Sequence, residues 1–142
     1  MIYTVAVVGA GLLGGVYAAF STMVVPALRR LDDRAATTAM VVINTRAERG
    51  SFIVVFGVAA LAAVGVMVSA VPRGAVSEIA VAGASLASTA LTVAVNVPLN
   101  RRLEKEGPAF WPPYARRWTA ANTVRAVCAT AAVCVAVAAA SR

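Results

Sequence analysis

W-P-P-Y-A-R-R-W-T-A-A-N-T-V-R-A-V-C-A-T-A-A-V-C-V-A-V-A-A-A, residues 111–140, is the stretch on which the fold turns. Its charge-free part starts only after Arg125, and 126–141 holds 16 residues. That is ~24 Å of helix, short of a ~30 Å hydrocarbon core. Extending the segment back to Trp118 gives a full-length span with an interfacial aromatic at its start. Pro112-Pro113 just upstream suit a helix start, where a missing N–H costs nothing. The extension carries Arg125 about two turns inside the span.

Three further blocks free of Asp, Glu, Lys and Arg lie upstream, at 1–28, 50–72 and 79–100. They predict spans at about 3–25, 51–71 and 79–97, with the fourth at 118–140. The first is expected to stop at Pro26 and the second at Pro72-Arg73-Gly74. The whole 142-residue chain is 61% apolar and 13% charged, against about 25% charged in a soluble domain. Its mean hydropathy is +0.81. With no internal repeat or linker, residues 1–142 are expected to form one domain. The predicted fold is all-α, an integral membrane four-helix antiparallel bundle in the lipid bilayer. A cleaved signal peptide is not expected, because the first segment lacks a basic leader and its charge-free run is too long.

The net charge of +7 resembles a nucleic-acid footprint, but the basic residues sit in short connectors and read as topology signals. No nucleic-acid partner is expected. Connector 29–49 carries Arg29, Arg30, Arg34, Arg46 and Arg49; connector 101–117 carries Arg101, Arg102, Lys105, Arg116 and Arg117. The opposite side has Arg73 and Arg142 alone, so ten basic residues face two. The positive-inside rule then puts both connectors in the cytoplasm and both termini outside. Within the first connector, Ala36, Met40 and Ile43 have helical spacing and suit a helix along the interface. Gly11 and Gly15 form a G-x-x-x-G, which permits close packing within the chain or in a homo-oligomer.

Polar residues inside apolar spans are costly, so their positions inform. Tyr114, Trp118, Asn122 and Arg125 step by four, four and three along one face of the last helix. Thr89, Thr92, Asn96 and Asn100 form a second stripe on the third span, and Tyr17 and Ser21 a third on the first. The stripes are expected to converge in the cytoplasmic half of the bundle as a polar pocket. A guanidinium keeps its charge, so Arg125 needs acceptors or an anion there. Two roles stay open for it: stabilising a bound anion, or a structural role at the interface or on backbone carbonyls. Asn96 and Asn100 flank a proline whose freed carbonyl they could satisfy, and Tyr114 and Trp118 also suit an aromatic belt. There is no His, and no carboxylate lies within a charge-free block, so neither a metal nor a haem is expected. Cys128 and Cys134 lie about 240° apart around one helix and read as packing residues.

G-V-Y-A-A-F-S-T-M-V-V-P at 15–26, N-V-P-L-N at 96–100 and W-x2-Y-x3-W-x3-N-x2-R at 111–125 together resemble the anthrone-oxygenase-like membrane family (domain of unknown function 1772). The resemblance spans nearly the whole chain and implies a four-helix membrane protein. It also implies oxidation of an anthrone-like, flat aromatic polyketide substrate by O2 to a quinone, without a bound cofactor. On that reading Arg125 stabilises the substrate oxyanion, and Asn122 and Asn96 donate hydrogen bonds. Trp118, Tyr114 and Tyr17 form aromatic walls, with Asn100 beside them. The general base is left open among Tyr114, Tyr17 and a water held by Asn96. The alternative is a non-catalytic membrane protein that binds a lipid or amphipathic ligand, or supports a partner protein.

Overall fold

A computed structural model describes residues 1–141, and among them every regular element is helical. Helix α1 (Ile2–Ala19) runs through a π-helical turn at Phe20–Val24 into α2 (Val25–Leu28). A short turn leads to α3 (Asp33–Arg49), capped by the Asp32 carboxylate, which accepts from the amides of Arg34 and Ala35. Helix α4 (Ser51–Ala70) ends in a 3-10 turn at Val71–Arg73 and a left-handed Gly74. Helix α5 (Val76–Leu91), a second π-helical turn (Thr92–Asn96) and α6 (Val97–Glu106) follow without a break. Gly107 turns the chain at φ 70°, ψ −153°, a conformation open essentially to glycine, and α7 (Trp111–Ala140) returns. Pro112 and Pro113 lie in the first turn of α7, as expected.

Two helix ends differ from expectation, and proline chemistry explains both. The chain was expected to break at Pro26 and to end its third span at Val97, yet it stays helical to Leu28 and to Glu106. In each case the residue before the proline bonds five residues back instead of four: Val25 N–H to the Phe20 carbonyl, Val97 N–H to the Thr92 carbonyl. The wider turn makes room for the proline ring, which would otherwise strike the carbonyl four residues earlier. It also re-aims the side chains on either side of it, and both π turns border the site described below.

Contacts fix how the long helices lie. Ser88 reaches the carbonyl of Arg125, Asn96 that of Trp118, and the Tyr114 hydroxyl reaches Asn100, so numbers rise along α5–α6 as they fall along α7. The same reversal pairs α1 with α7 (Asn122 to Tyr17, Gly14 against Ala129) and α1 with α4 (Tyr17 beside Phe52, Gly9 against Ala59). The close approaches fall at Gly9 and Gly14, not at the expected Gly11 and Gly15. A Cβ on Gly9 would sit 2.6 Å from Ala59 Cβ, whereas one on Gly15 would meet nothing within 4 Å. Helix α3 docks through Ala36 and Met40 onto a cluster with Leu28, Leu103, Trp111 and Tyr114.

The burial pattern is that of a chain in an apolar solvent. Alanine is the commonest buried residue, while Leu12, Leu61, Val68 and Val127 are each more than half exposed. Small residues inside let backbones approach, and large apolar ones outside suit lipid. Three helical stretches, Ile2–Leu28, Ser51–Arg73 and Val76–Ala140, are long and apolar enough to cross a membrane, and the chain fits a membrane protein.

Candidate functional site

The second π turn brings Thr92 and Asn96 beneath α7, and Tyr17 of α1 and Ser21 of the first π turn lie on its other side. Between them lies Arg125, only 6% exposed. Its Nε and Nη2 donate to the Asn122 side-chain carbonyl at 2.8 and 2.6 Å, and its Nη1 donates to Thr92 Oγ1 at 3.1 Å. The guanidinium carbon lies 4.0 Å from the Tyr17 ring centroid and 5.2 Å from that of Trp118. Every one of these partners is neutral. Among the described residues the ion pairs are Arg73–Glu78 and Arg102–Glu106, and neither touches this site. The buried charge is therefore held by dipoles and π faces, with no ion-pair partner among the described residues.

Asn122 is fully buried and fully engaged. Its Nδ2 donates to the Tyr17 carbonyl and to Ser21 Oγ, both at 2.6 Å, while its Oδ1 takes the two bonds from Arg125. Sequence reasoning had Asn122 donating to a substrate; both its N–H groups are already in use, and its place is to hold Arg125. Asn96 differs in the opposite sense. One N–H reaches the Trp118 carbonyl at 3.3 Å, and its side-chain carbonyl oxygen has no partner. The unmatched atom of Asn96 is thus an acceptor, where a donor was expected.

Beside Arg125 opens a cavity of about 420 Å³. Tyr17, Asn96, Asn100, Trp118 and Arg125 all line it, so five of the seven expected residues converge. Tyr114 does not reach it. That ring packs behind the wall, between Trp111 at 5.7 Å and Trp118 at 6.3 Å, and its hydroxyl donates to Asn100 Oδ1 at 2.9 Å. Four buried polar atoms lack a hydrogen-bond partner among the described residues, and three of them belong to cavity residues: Tyr17 Oη, Asn96 Oδ1 and Trp118 Nε1. Such atoms are costly, and here they collect around one apolar chamber.

Sequence reasoning missed much of the wall. Phe20 packs on Trp118 at 5.8 Å, and Phe52 and Phe56 stack at 6.4 Å with Phe52 edge-on to Tyr17. Asn44 and Glu48 reach the chamber from α3. The i, i+4 spacing of Phe52 with Phe56 and of Asn44 with Glu48 was the available signal.

A family model described as anthrone oxygenase matches residues 45–135. The matched segment includes Asn96, Asn100, Tyr114, Trp118, Asn122 and Arg125, and leaves Tyr17 outside. No curated protein and no solved structure matches the chain significantly. With the family match covering well over half of its length, the chain belongs to the anthrone oxygenase family.

Proposed function

We propose that this protein is a membrane-embedded, cofactor-independent oxygenase that oxidises a flat aromatic, polyketide-like substrate with O2 to a quinone. Its frame is a four-helix antiparallel bundle in the cell membrane, with both termini outside and the 29–49 and 101–117 connectors cytoplasmic. The orientation rests on the ten-to-two bias of basic residues. The observation that carries the reaction is the guanidinium of Arg125, buried without a counter-ion at the wall of an apolar chamber.

An anthrone loses a proton from its central CH2 to give an anion whose charge spreads onto the ring oxygen. That anion is rich enough in electrons to reduce O2 by itself. Anthrone and O2 then give anthraquinone and water, with atoms and electrons balanced. The enzyme's task is to bind the ring and favour its anion over its neutral form. Arg125 stabilises the oxyanion, held in place by Asn122. Trp118 Nε1 and Tyr17 Oη supply donors, and Asn96 Oδ1 accepts from a ring hydroxyl. Tyr17, Phe20, Phe52 and Trp118 clamp the plane, while Tyr114 positions Asn100. The chamber's volume lies within the usual 300–1,000 Å³ of small-molecule sites.

Oxygen uptake by detergent-purified protein with a panel of anthrones tests this, run beside Arg125→Ala because anthrones autoxidise. Uptake by the intact protein is expected to exceed that of the variant by about 10²–10³-fold, the usual worth of an oxyanion donor. It is also expected to persist with chelators. Equal rates would remove the assignment. A second reading has its own support: Val16, Ile53 and Val93 line the chamber and are also exposed, so it opens on the apolar flank of the bundle. A non-catalytic protein that takes up a lipid or amphipathic ligand fits that opening. It requires Arg125→Ala to lower the melting temperature in detergent, and a stable but inactive variant counts against it.

A further inference from the structure

The site described so far has a cation, donors and an acceptor, but no group that removes the substrate proton. Tyr114 stands outside the chamber with its hydroxyl engaged by Asn100. Tyr17 packs its ring beneath the Arg125 guanidinium, a poor place to receive a proton. One carboxylate does line the chamber, that of Glu48, near the C-terminal end of α3. Among the described residues it forms no ion pair.

Glu48 also faces a second space. A smaller vestibule of about 110 Å³ is bounded by Asn44, Thr45, Glu48, Asn100, Arg101 and Glu104. Asn44, Glu48 and Asn100 line both spaces, so the apolar chamber and the polar vestibule share one wall. Glu48 is itself exposed, in the connector whose basic residues mark it as cytoplasmic. A carboxylate at this boundary can take a proton from an apolar site and release it without crossing that site again.

Resting on the oxygenase reading, we infer that Glu48 is the general base of the reaction and that the vestibule is the proton's way out. The C–H bond of the substrate's central CH2 breaks and an O–H bond forms on the Glu48 carboxylate. The electron pair stays on the ring and its charge moves to the ring oxygen beside Arg125, and the proton then leaves to water through the vestibule. The charged and titratable groups facing Glu48 are Arg101 and Glu104 of α6, with Tyr17 of α1 and Arg125 of α7 across the chamber. Its neighbours from α4, Phe52, Ile53 and Phe56, carry no charge. Arg125 lines the chamber and Arg101 the vestibule, so Glu48 stands at the wall between the two.

Glu48→Gln keeps the side chain's shape at an exposed position and removes the base. Its kcat for oxygen uptake is expected to fall by about 10²–10⁴-fold with KM little changed, the range of a positioned general base. The residual rate should climb in proportion to hydroxide, because only substrate ionised in solution is then processed. Glu48→Asp should recover part of the rate and a pH profile like that of the intact protein. A Gln variant with the intact protein's kcat and pH profile overturns the inference and leaves the oxygenase reading standing. So does a Gln variant that stays inactive as hydroxide rises, or an Asp variant as poor as Gln. Intact protein no faster than Arg125→Ala overturns both.

Discussion

The two halves of the bundle are closed by different means. In the half around Ala6, Ala62, Val66, Ala82, Ala132 and Ala136, the buried clusters are built of alanine and valine, and helices meet through glycine and alanine. In the half around Tyr17, Asn96, Trp118, Asn122 and Arg125, hydrogen bonds and rings do the joining, and three polar atoms are left unmatched beside a cavity. The contrast teaches that lipid-facing helices need no polar groups to cohere. The polar half therefore carries a cost that packing alone does not explain, and that cost falls where a ligand fits.

The sharpest way to break the contrast is to give Arg125 the counter-ion it lacks. Asn122→Asp puts a carboxylate where the side-chain carbonyl now takes two bonds from Arg125 at 2.6 and 2.8 Å. A neutralised guanidinium stabilises a substrate anion poorly, so activity is expected to fall at least tenfold, measured as oxygen uptake. The new ion pair offsets only in part the lost Asn122 N–H bond to the Tyr17 carbonyl, so a folded protein with a modestly lower melting temperature in detergent is expected. Activity retained with Asp in place would show that the unpaired charge is incidental. The converse change lies in the alanine half. Gly9→Ala drives a methyl to 2.6 Å from Ala59 Cβ and must push α1 and α4 apart. Overpacking of this kind costs about 1–3 kcal/mol. A lower melting temperature with unchanged kcat is expected, since Gly9 lies ~12 Å along α1 from Tyr17.

How much of this was legible depends on the scale of the signal. The apolar helices are written as long charge-free blocks, and Arg125 stands out because nothing else charged lies near it in the chain. The stripes brought Tyr17, Asn96, Asn100, Trp118 and Arg125 to one chamber because residues on one helix face stay together. Spacing along one helix does not show which bonds a side chain makes across helices. Asn122 was therefore assigned to a substrate rather than to Arg125, and Tyr114 to a wall it stands behind. The π turns were hidden for a related reason: proline forbids an α turn, but whether the chain then stops or widens depends on tertiary packing. Asn44 and Glu48 come from a connector helix whose docking through Met40 and Ala36 is a tertiary event, so the base was missing from the sequence reading.

The smallest effect is expected where the sequence pointed to close packing and the structure shows none. Gly11 and Gly15 are both exposed on the outer side of α1, and a Cβ on Gly15 would have free space around it. Glycine in a helix interior costs roughly 0.5–1 kcal/mol relative to alanine. For an isolated chain, Gly15→Ala should therefore raise the melting temperature slightly and leave the particle mass by light scattering unchanged. In a homo-oligomer joined through G-x-x-x-G, the added methyl would force the paired backbones apart, lowering both the mass and the melting temperature. The sign of this one shift distinguishes a face that meets lipid from a face that meets a second copy. Since Val16 lies next to Gly15 and also lines the chamber, a lipid-facing result leaves the apolar mouth open for substrate to enter from the bilayer.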